Sequence, residues 1–334
     1  MMRAEAHSQD GDVMAITTDA RVDDFVNSTR FSLDGVIWPN ATMSRLVDIE
    51  GRVVHIQQMG RGPPALLIHG TGASTHSWEG LVDELAADLH LTLVDLPGHG
   101  FSAPAASSDM SLEGYARSLA RLVSVLGIAP QLVIAHSAGA AVAVRMALDG
   151  SLARSCRIIA INGAFLPFGG LGRWLFPPMA RLLAAGPFTA RLFARHAERA
   201  GAVERLLIGT GGKPPQRSIG FYRLLLKQPA HVQSALDMMA NWSLERLSAE
   251  LPRLRAPLDL VACGDDRAVP AETAWTVKSL VAGASVHYLR DAGHLAHEEQ
   301  PAAVAAIVRG AIAGLASCGR EEPLRSTTGR HSDL

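Results

Sequence analysis

Short runs of apolar, β-favouring residues alternate with stretches of helical spacing along most of the chain. The runs are Pro64 to His69, Leu91 to Asp95, Gln131 to His136, Arg157 to Asn162, Leu258 to Cys263 and Ser285 to Leu289. They are apolar throughout and do not alternate, the pattern of strands covered on both faces, which predicts a mostly parallel sheet. Arg45 to Gln58, with Gly51 at its middle, predicts a hairpin on the edge of that sheet. Helical spacing falls at Trp78 to Asp88, Leu112 to Leu126, Ala138 to Leu148, Ala271 to Val281 and Pro301 to Leu315. Ser111 suits an N-cap with Glu113 in the first turn, and Pro301 suits a first helical position. The pattern is α/β, with helices flanking the sheet.

One interval interrupts the alternation. From Gly163 to Leu254 the chain has helical spacing and turns but no convincing strand, so it reads as a helical insertion after the sixth strand. Six of the nine phenylalanines lie here (Phe165, Phe168, Phe176, Phe188, Phe193, Phe221), and between Ala164 and Leu244 ten Lys and Arg face three acids. Two readings stand: a small helical subdomain with its own core and a solvated charged face, or a cap that shapes a ligand site. The organisation expected is a disordered extension over 1–37, an α/β core over 38–162 and 255–316, a helical cap over 163–254 and a loose tail over 317–334. The start is polar, with seven acids among residues 1–34 against three arginines. It also fits an extension created by an early start codon, since Met14 and Met43 lie downstream.

Composition narrows the function classes. The chain has 334 residues, 48% hydrophobic and 19% charged, with 31 Lys and Arg against 32 Asp and Glu. That is an ordinary globular balance, with no excess of positive charge to attract nucleic acid. Three cysteines (Cys156, Cys263, Cys318) form neither a disulfide framework nor a C-x-x-C pair, which points to a reducing compartment and away from structural zinc. No apolar stretch reaches the roughly 18 residues of a membrane span, and the acidic start is unlike a signal peptide. The location expected is cytoplasmic.

Ala135-His136-Ser137-Ala138-Gly139 follows an apolar run and opens a helix of small residues, the setting of a nucleophile elbow. Gly139 fits the G-x-S-x-G pattern; Ala135 replaces its first glycine. His69-Gly70-Thr71-Gly72 ends an earlier strand, where a glycine turn can aim a backbone N–H above Ser137. Thr71 N–H and Ala138 N–H are therefore the expected oxyanion hole. Gly264-Asp265-Asp266 and Gly293-His294 end two later strands, and Ser, Asp, His is the triad order of such hydrolases. Ser137 would attack, His294 would carry the proton and an aspartate would hold the imidazolium. Asp266, three before Val269 in an Asp-x-x-Val-Pro spacing, is preferred, with Asp265 as the alternative; Arg157 to Gly172 contains no carboxylate that could serve from the earlier strand. His99, in Asp95-Leu-Pro-Gly-His-Gly100, reads as a structural turn residue, and His294-Leu-Ala-His297-Glu298 is neither H-E-x-x-H nor H-x-x-E-H. No metal and no cofactor are expected; neither G-x-G-x-x-G nor a Walker sequence is present.

With these motifs in place, residues from about Trp38 to Leu315 resemble the α/β-hydrolase fold superfamily. A narrower resemblance rests on His69-Gly-Thr-Gly-Ala-Ser-Thr-His-Ser-Trp78, Ala135-His-Ser-Ala-Gly-Ala140, Phe176-Pro-Pro-Met-Ala-Arg-Leu-Leu183 and Met238-Met-Ala-Asn-Trp242. These are similar to the magnesium-chelatase accessory proteins of bacteriochlorophyll biosynthesis, the BchO-type hydrolases. That resemblance implies support for magnesium insertion into a porphyrin, with magnesium chelatase as a partner. The substrate classes it leaves are an ester or thioester for the triad, or a tetrapyrrole held without catalysis. A basic, phenylalanine-rich cap is compatible with a flat tetrapyrrole carrying carboxylates, or with peripheral contact to an anionic membrane. An aspartate nucleophile of the dehalogenase kind is disfavoured by Ser137, while carbon–carbon bond hydrolases and cofactor-free haloperoxidases share the triad.

Overall fold

The computed structural model describes residues 30–167, 189–197 and 199–318. Phe168, Phe176, Phe188 and the extreme termini, on which some of the sequence expectations fall, lie outside the described residues. Residues 30–37 depart from the expected disordered extension. Ser32–Leu33 (β1) pairs with Val36–Ile37 (β2) through a tight turn at Asp34 and Gly35, both at positive φ. Phe31 is buried among His55, Phe101 and Trp38. One aromatic residue in an acidic stretch is invisible to composition, and its partners lie far along the chain.

Among the described residues the main sheet has eight strands. Ser44–Ile49 (β3) and Arg52–Gly60 (β4) form the hairpin, closed by Glu50 and Gly51 at φ 54° and 81°, the two positive values a type I′ turn requires. Pro64–Ile68 (β5), His90–Val94 (β6), Leu132–His136 (β7), Arg157–Ile161 (β8), Leu258–Cys263 (β9) and Ser285–Leu289 (β10) follow. Their order is β10-β9-β8-β7-β5-β6-β4-β3, antiparallel only where β4 meets β3 and β6. β10 lies at the edge and is only partly covered, with Tyr288 half exposed, so its apolar run did not mark burial on both faces.

Alternate residues of the central strands feed two separate cores. Leu66, Ile68, Val133, Ala135, Ile158 and Ala160 face one side, covered by Leu112–Val125 (α2) and Ala138–Leu148 (α3). Ala65, Leu67, Leu132, Ile134, Ile159 and Ile161 face the other, covered by Glu79–Leu85 (α1) and Pro301–Cys318 (α11). Near-continuous apolarity in these strands follows from having no solvent face. α3 is itself apolar on every side because it runs through the middle of its layer. Its one buried charge, Arg145, pairs with Asp149 at 2.7 Å and with Glu250.

The chain leaves β5 for β6 on one side, then returns to β7 on the other. Strand order therefore reverses at β5, and the carboxyl ends of β5 and β7 form the switch point at which open α/β sheets place their sites. Between β8 and β9 come Thr189–Ala197 (α4), Ala202–Gly209 (α5), Gln216–Leu226 (α6), Pro229–Ala240 (α7) and Glu245–Glu250 (α8). Val203, Leu207, Ile219 and Tyr222 share one apolar cluster with Ala73 and Leu295 of the sheet's own loops. Phe221, Leu224 and Leu225 pack on Phe31, Trp38 and Ala41. The helices are thus seated on the loops that carry the motifs. Between β9 and the C-terminus stand Glu272–Leu280 (α9) and the short Ala296–Glu299 (α10). Among the described residues no helix is long and apolar enough to cross a membrane.

Candidate active site

Ser137 stands at the end of β7 with φ 51° and ψ −117°, a backbone state that an L-residue adopts only under constraint. The constraint is visible. Its N–H donates to Ile161 O at 3.0 Å, and its carbonyl accepts from Ala140 N and Ala164 N, each at 3.1 Å. A β-carbon on Gly139 would collide with the carbonyl oxygens of Ile68 and His69, so helix α3 approaches β5 closely because that residue has no side chain. The first elbow position makes no such demand: the Ala135 methyl is fully buried within the core on α3's side of the sheet. The missing glycine therefore leaves the elbow intact.

Three of the residues singled out by motif meet here. His294 Nε2 lies 3.2 Å from Ser137 Oγ, and His294 Nδ1 lies 2.8 Å from Asp266 Oδ2. The other oxygen of Asp266 accepts from the amides of Ala268 (2.7 Å) and Val269 (2.8 Å), which leaves Oδ2 aimed at the imidazole. The Asp266 side chain is fully buried, whereas Asp265 is exposed and faces Lys213 Nζ at 3.5 Å. Of the two adjacent acids, Asp266 is the one in contact with His294. Ala138 N–H is the first of helix α3 and so has no intrahelical acceptor. Gly70 lies directly behind Ser137, since a β-carbon there would fall 3.1 Å from Ser137 Cβ and 2.8 Å from His136 Nδ1.

Three further residues hold the His294 loop. Asn162, at φ 48° on the end of β8, donates from Nδ2 to the carbonyls of Gly293 and His294, both at 3.0 Å. His136 Nε2 donates to the same His294 carbonyl at 2.9 Å. Glu299 accepts from Gly293 N at 3.1 Å and Leu295 N at 3.2 Å, so its carboxylate ties down both amides flanking the histidine. Motif reading passed over all three. His136 sits inside the elbow pentapeptide and Glu299 five residues after His294, so their positions carried a signal; Asn162 carried only the turn preference of asparagine.

His69 closes the opposite wall. Leu96 N–H donates to its Nε2 at 3.0 Å, so the proton resides on Nδ1, which donates to Gly70 O at 2.7 Å. In a planar trans peptide the N–H points opposite to the carbonyl. Anchoring Gly70 O, which also accepts from Ala73 N at 3.2 Å, therefore sets the direction of the Thr71 N–H. Burial holds the His69 pKa below its ordinary value and keeps the imidazole neutral, with Asp95 pulling the other way. Asp95 is buried too. Burial opposes its charge, but the His55 imidazole beside it at 2.6 Å and the Phe101 amide hold the carboxyl well below the usual range. His99, in the same turn, donates to Pro97 O at 3.2 Å and is kept neutral by burial. It does not touch Ser137 or His294 by any hydrogen bond.

A second buried cluster lies behind the triad. Glu298 accepts from Ser77, Ser218 and Tyr222, the last at 2.8 Å, so one carboxyl joins the segment after β5, helix α6 and the helix that follows His294. Burial pushes its pKa up to about 7 despite those three hydroxyls. His297 Nε2 lies 2.8 Å from Ser77 Oγ, and burial takes its pKa down to about 3. His297 and Glu298 thus share Ser77, while His294 and Glu299 have other partners, and among the described residues no group of three or more His, Cys, Asp or Glu is placed to hold a metal ion.

A doubly wound sheet, a serine on a strained elbow and a histidine-bearing loop after the last strand define the α/β-hydrolase family, and the chain belongs to it: the alpha/beta hydrolase family model matches residues 65–307. Within the family it is similar to the magnesium-chelatase 30 kDa subunit of Rhodobacter capsulatus, 39% identical over 237 residues that cover 71% of this chain and 82% of that one. A pimeloyl-[acyl-carrier protein] methyl ester esterase of Aeromonas hydrophila is 27% identical over 246 residues, 71% of this chain and 85% of its own. Among solved structures, an alpha/beta hydrolase fold protein from Burkholderia ambifaria superposes with a TM-score of 0.63 at 25% identity, covering 80% of this chain and 97% of that one.

Glu298 makes stability depend on pH. Its carboxyl titrates near 7 when folded and near 4.5 when unperturbed, so between those values the folded state holds the extra proton. Its contribution is complete below about pH 4.5 and is lost as pH rises through about 7, on the order of 3 kcal/mol in all. Melting temperatures measured from pH 4.5 to 7.5 should fall more for the wild type than for Glu298→Gln; parallel curves would contradict the assignment.

Proposed function

We propose that this chain is a serine hydrolase that cleaves a carboxylic ester or thioester through an acyl-enzyme, in the service of magnesium chelatase during bacteriochlorophyll synthesis. The observation that carries the chemistry is the continuous contact from Ser137 Oγ through His294 to Asp266, at 3.2 and 2.8 Å. As Ser137 Oγ bonds to the acyl carbon, its proton passes to His294 Nε2 and the carbonyl electrons move onto oxygen. Thr71 N–H and Ala138 N–H receive that oxyanion. Collapse re-forms the carbonyl and expels the alcohol or thiol, which takes the proton from His294; water then repeats the sequence and frees the acid. Asp266, bonded to His294 Nδ1, orients the imidazole and stabilises the imidazolium. The chelatase context rests on the similarity to the 30 kDa subunit, and the ester on that to the methyl ester esterase.

Labelling with a fluorophosphonate, read by intact mass, tests the nucleophile without knowledge of the substrate. Wild type should gain one adduct, and Ser137→Ala and His294→Ala none; on an activated ester each variant should lose at least about a thousandfold in kcat. A folded wild type that never labels would remove the hydrolase reading. It would favour the alternative, a tetrapyrrole-binding or delivery protein on a hydrolase frame, for which the excess of basic residues in the cap is the supporting feature.

Complementation separates the two roles in a cell. In a bacteriochlorophyll-producing host that lacks its own 30 kDa subunit, the wild-type chain should restore pigment and Ser137→Ala should not. Restoration by both would show that binding suffices.

The same cap supports peripheral contact with a membrane. Leu192, Leu206 and Ile208 are 68%, 58% and 54% exposed, and Arg191, Arg195, Arg199 and Arg205 are exposed on the same two helices and the turn between them. Aliphatic side chains set among arginines suit an anionic lipid surface. Flotation with phosphatidylglycerol vesicles should carry the protein, neutral phosphatidylcholine vesicles should not, and Leu192→Ser with Leu206→Ser should reduce the floated fraction several-fold.

A further inference from the structure

A second histidine mirrors His69 from the helical layer. His231 lies in the first turn of α7 and is buried. Gly100 N–H donates to its Nδ1 at 3.2 Å, so Nδ1 carries no proton, and Nε2–H donates to Gly72 O at 3.1 Å. His69 does the same one residue pair away, accepting from Leu96 N–H and donating to Gly70 O. Two neutral imidazoles thus each take an amide from the Asp95–Gly100 turn and each give a proton to a carbonyl of the Gly70–Gly72 turn. The two carbonyls bracket Thr71.

The same helix makes two more contacts with these turns. Thr71 Oγ1–H donates to Met238 Sδ at 3.3 Å. Ser234 fills the space that a side chain on Gly98 would need. Helix α7 is therefore in register with both glycine turns. The His231 contact reaches the main chain of the Gly70–Gly72 turn, whereas that of Met238 is to the Thr71 side chain.

We infer that His231 is a positioning residue for acyl transfer: it fixes the Gly72 carbonyl and with it the Ala73 amide, whose N–H bonds Gly70 O at 3.2 Å, so that the peptide carrying the Thr71 donor depends on the seating of α7. The inference rests on the triad reading above and extends it to a residue that no motif contains. Its physical basis is that an oxyanion donor counts only if it is held in place before charge develops, and a displacement near 1 Å can cost about a hundredfold in rate.

The test uses the full-length chain as wild type, His231→Ala and His231→Gln. The second-order rate of fluorophosphonate labelling and the kcat and KM for an activated ester are measured, with melting temperature as the check on folding. Glutamine can give an N–H to Gly72 O and a carbonyl to Gly100 N–H, so it can replace both bonds; alanine can replace neither. His231→Ala is expected to lower labelling and kcat by about ten- to a hundredfold with KM changed little, and His231→Gln to recover most of that loss. Equal labelling of wild type and His231→Ala would overturn the inference while leaving the triad standing. So would equal impairment of the alanine and glutamine variants, which would mark a space-filling role. A wild type that does not label would bring down the triad reading and this inference together, and that outcome is read from the wild type alone.

Discussion

Everything chemical in this molecule depends on a peptide backbone held where it would not rest by itself. Ser137 at φ 51° lifts its side chain off the end of β7, and such a state costs about 1–3 kcal/mol. The surroundings over-determine it. Ile161 O fixes its amide, Ala140 and Ala164 fix its carbonyl, and Gly139 lets α3 press against β5 so that the turn has no room to relax. The sheet supplies the rigidity because β5, β7 and β8 are buried on both faces.

Around that turn the chain uses buried neutral histidines as two-ended spacers. A neutral imidazole accepts at one nitrogen and donates at the other, so a single side chain can join an amide on one loop to a carbonyl on the next. His69 and His231 do this across the Gly70–Gly72 turn, and His136 donates to the His294 carbonyl. Burial is what makes them dependable in this role. It pushes the His231 pKa down to about 4 and that of His136 well below the ordinary value, so neither changes partner near neutral pH. Glu298 is the counterpart among the acids: burial drives its pKa up, and it ties α6 to the loops beneath it.

How much was legible beforehand follows the range of the interactions. Strands β5 to β9 and helix α3 were readable because apolarity and small residues report burial locally. Ser137, His294 and Asp266 were readable as motifs, each set in a turn at the end of a strand, and the geometry places them in contact. Asn162 and His231 were not, because each acts on main-chain groups distant in sequence, and the main chain has no letter in a sequence. The buried Phe31 escaped because its ring partners, His55 and Phe101, are distant in sequence.

The sequence by itself determined the α/β class, the family resemblance, the chain order of the candidate residues Ser137, Asp266 and His294, and the place where the regular alternation breaks. It could do so because strand burial, turn chemistry and motif spacing are properties of neighbouring residues. Only the tertiary structure put Asp266 and not Asp265 in contact with His294, buried the Ala135 methyl beside the elbow, and set His231 of the helical layer against the Gly72 carbonyl. Those outcomes depend on which backbone groups lie opposite one another once the sheet has closed, and that is a relation between segments that no single stretch of chain contains.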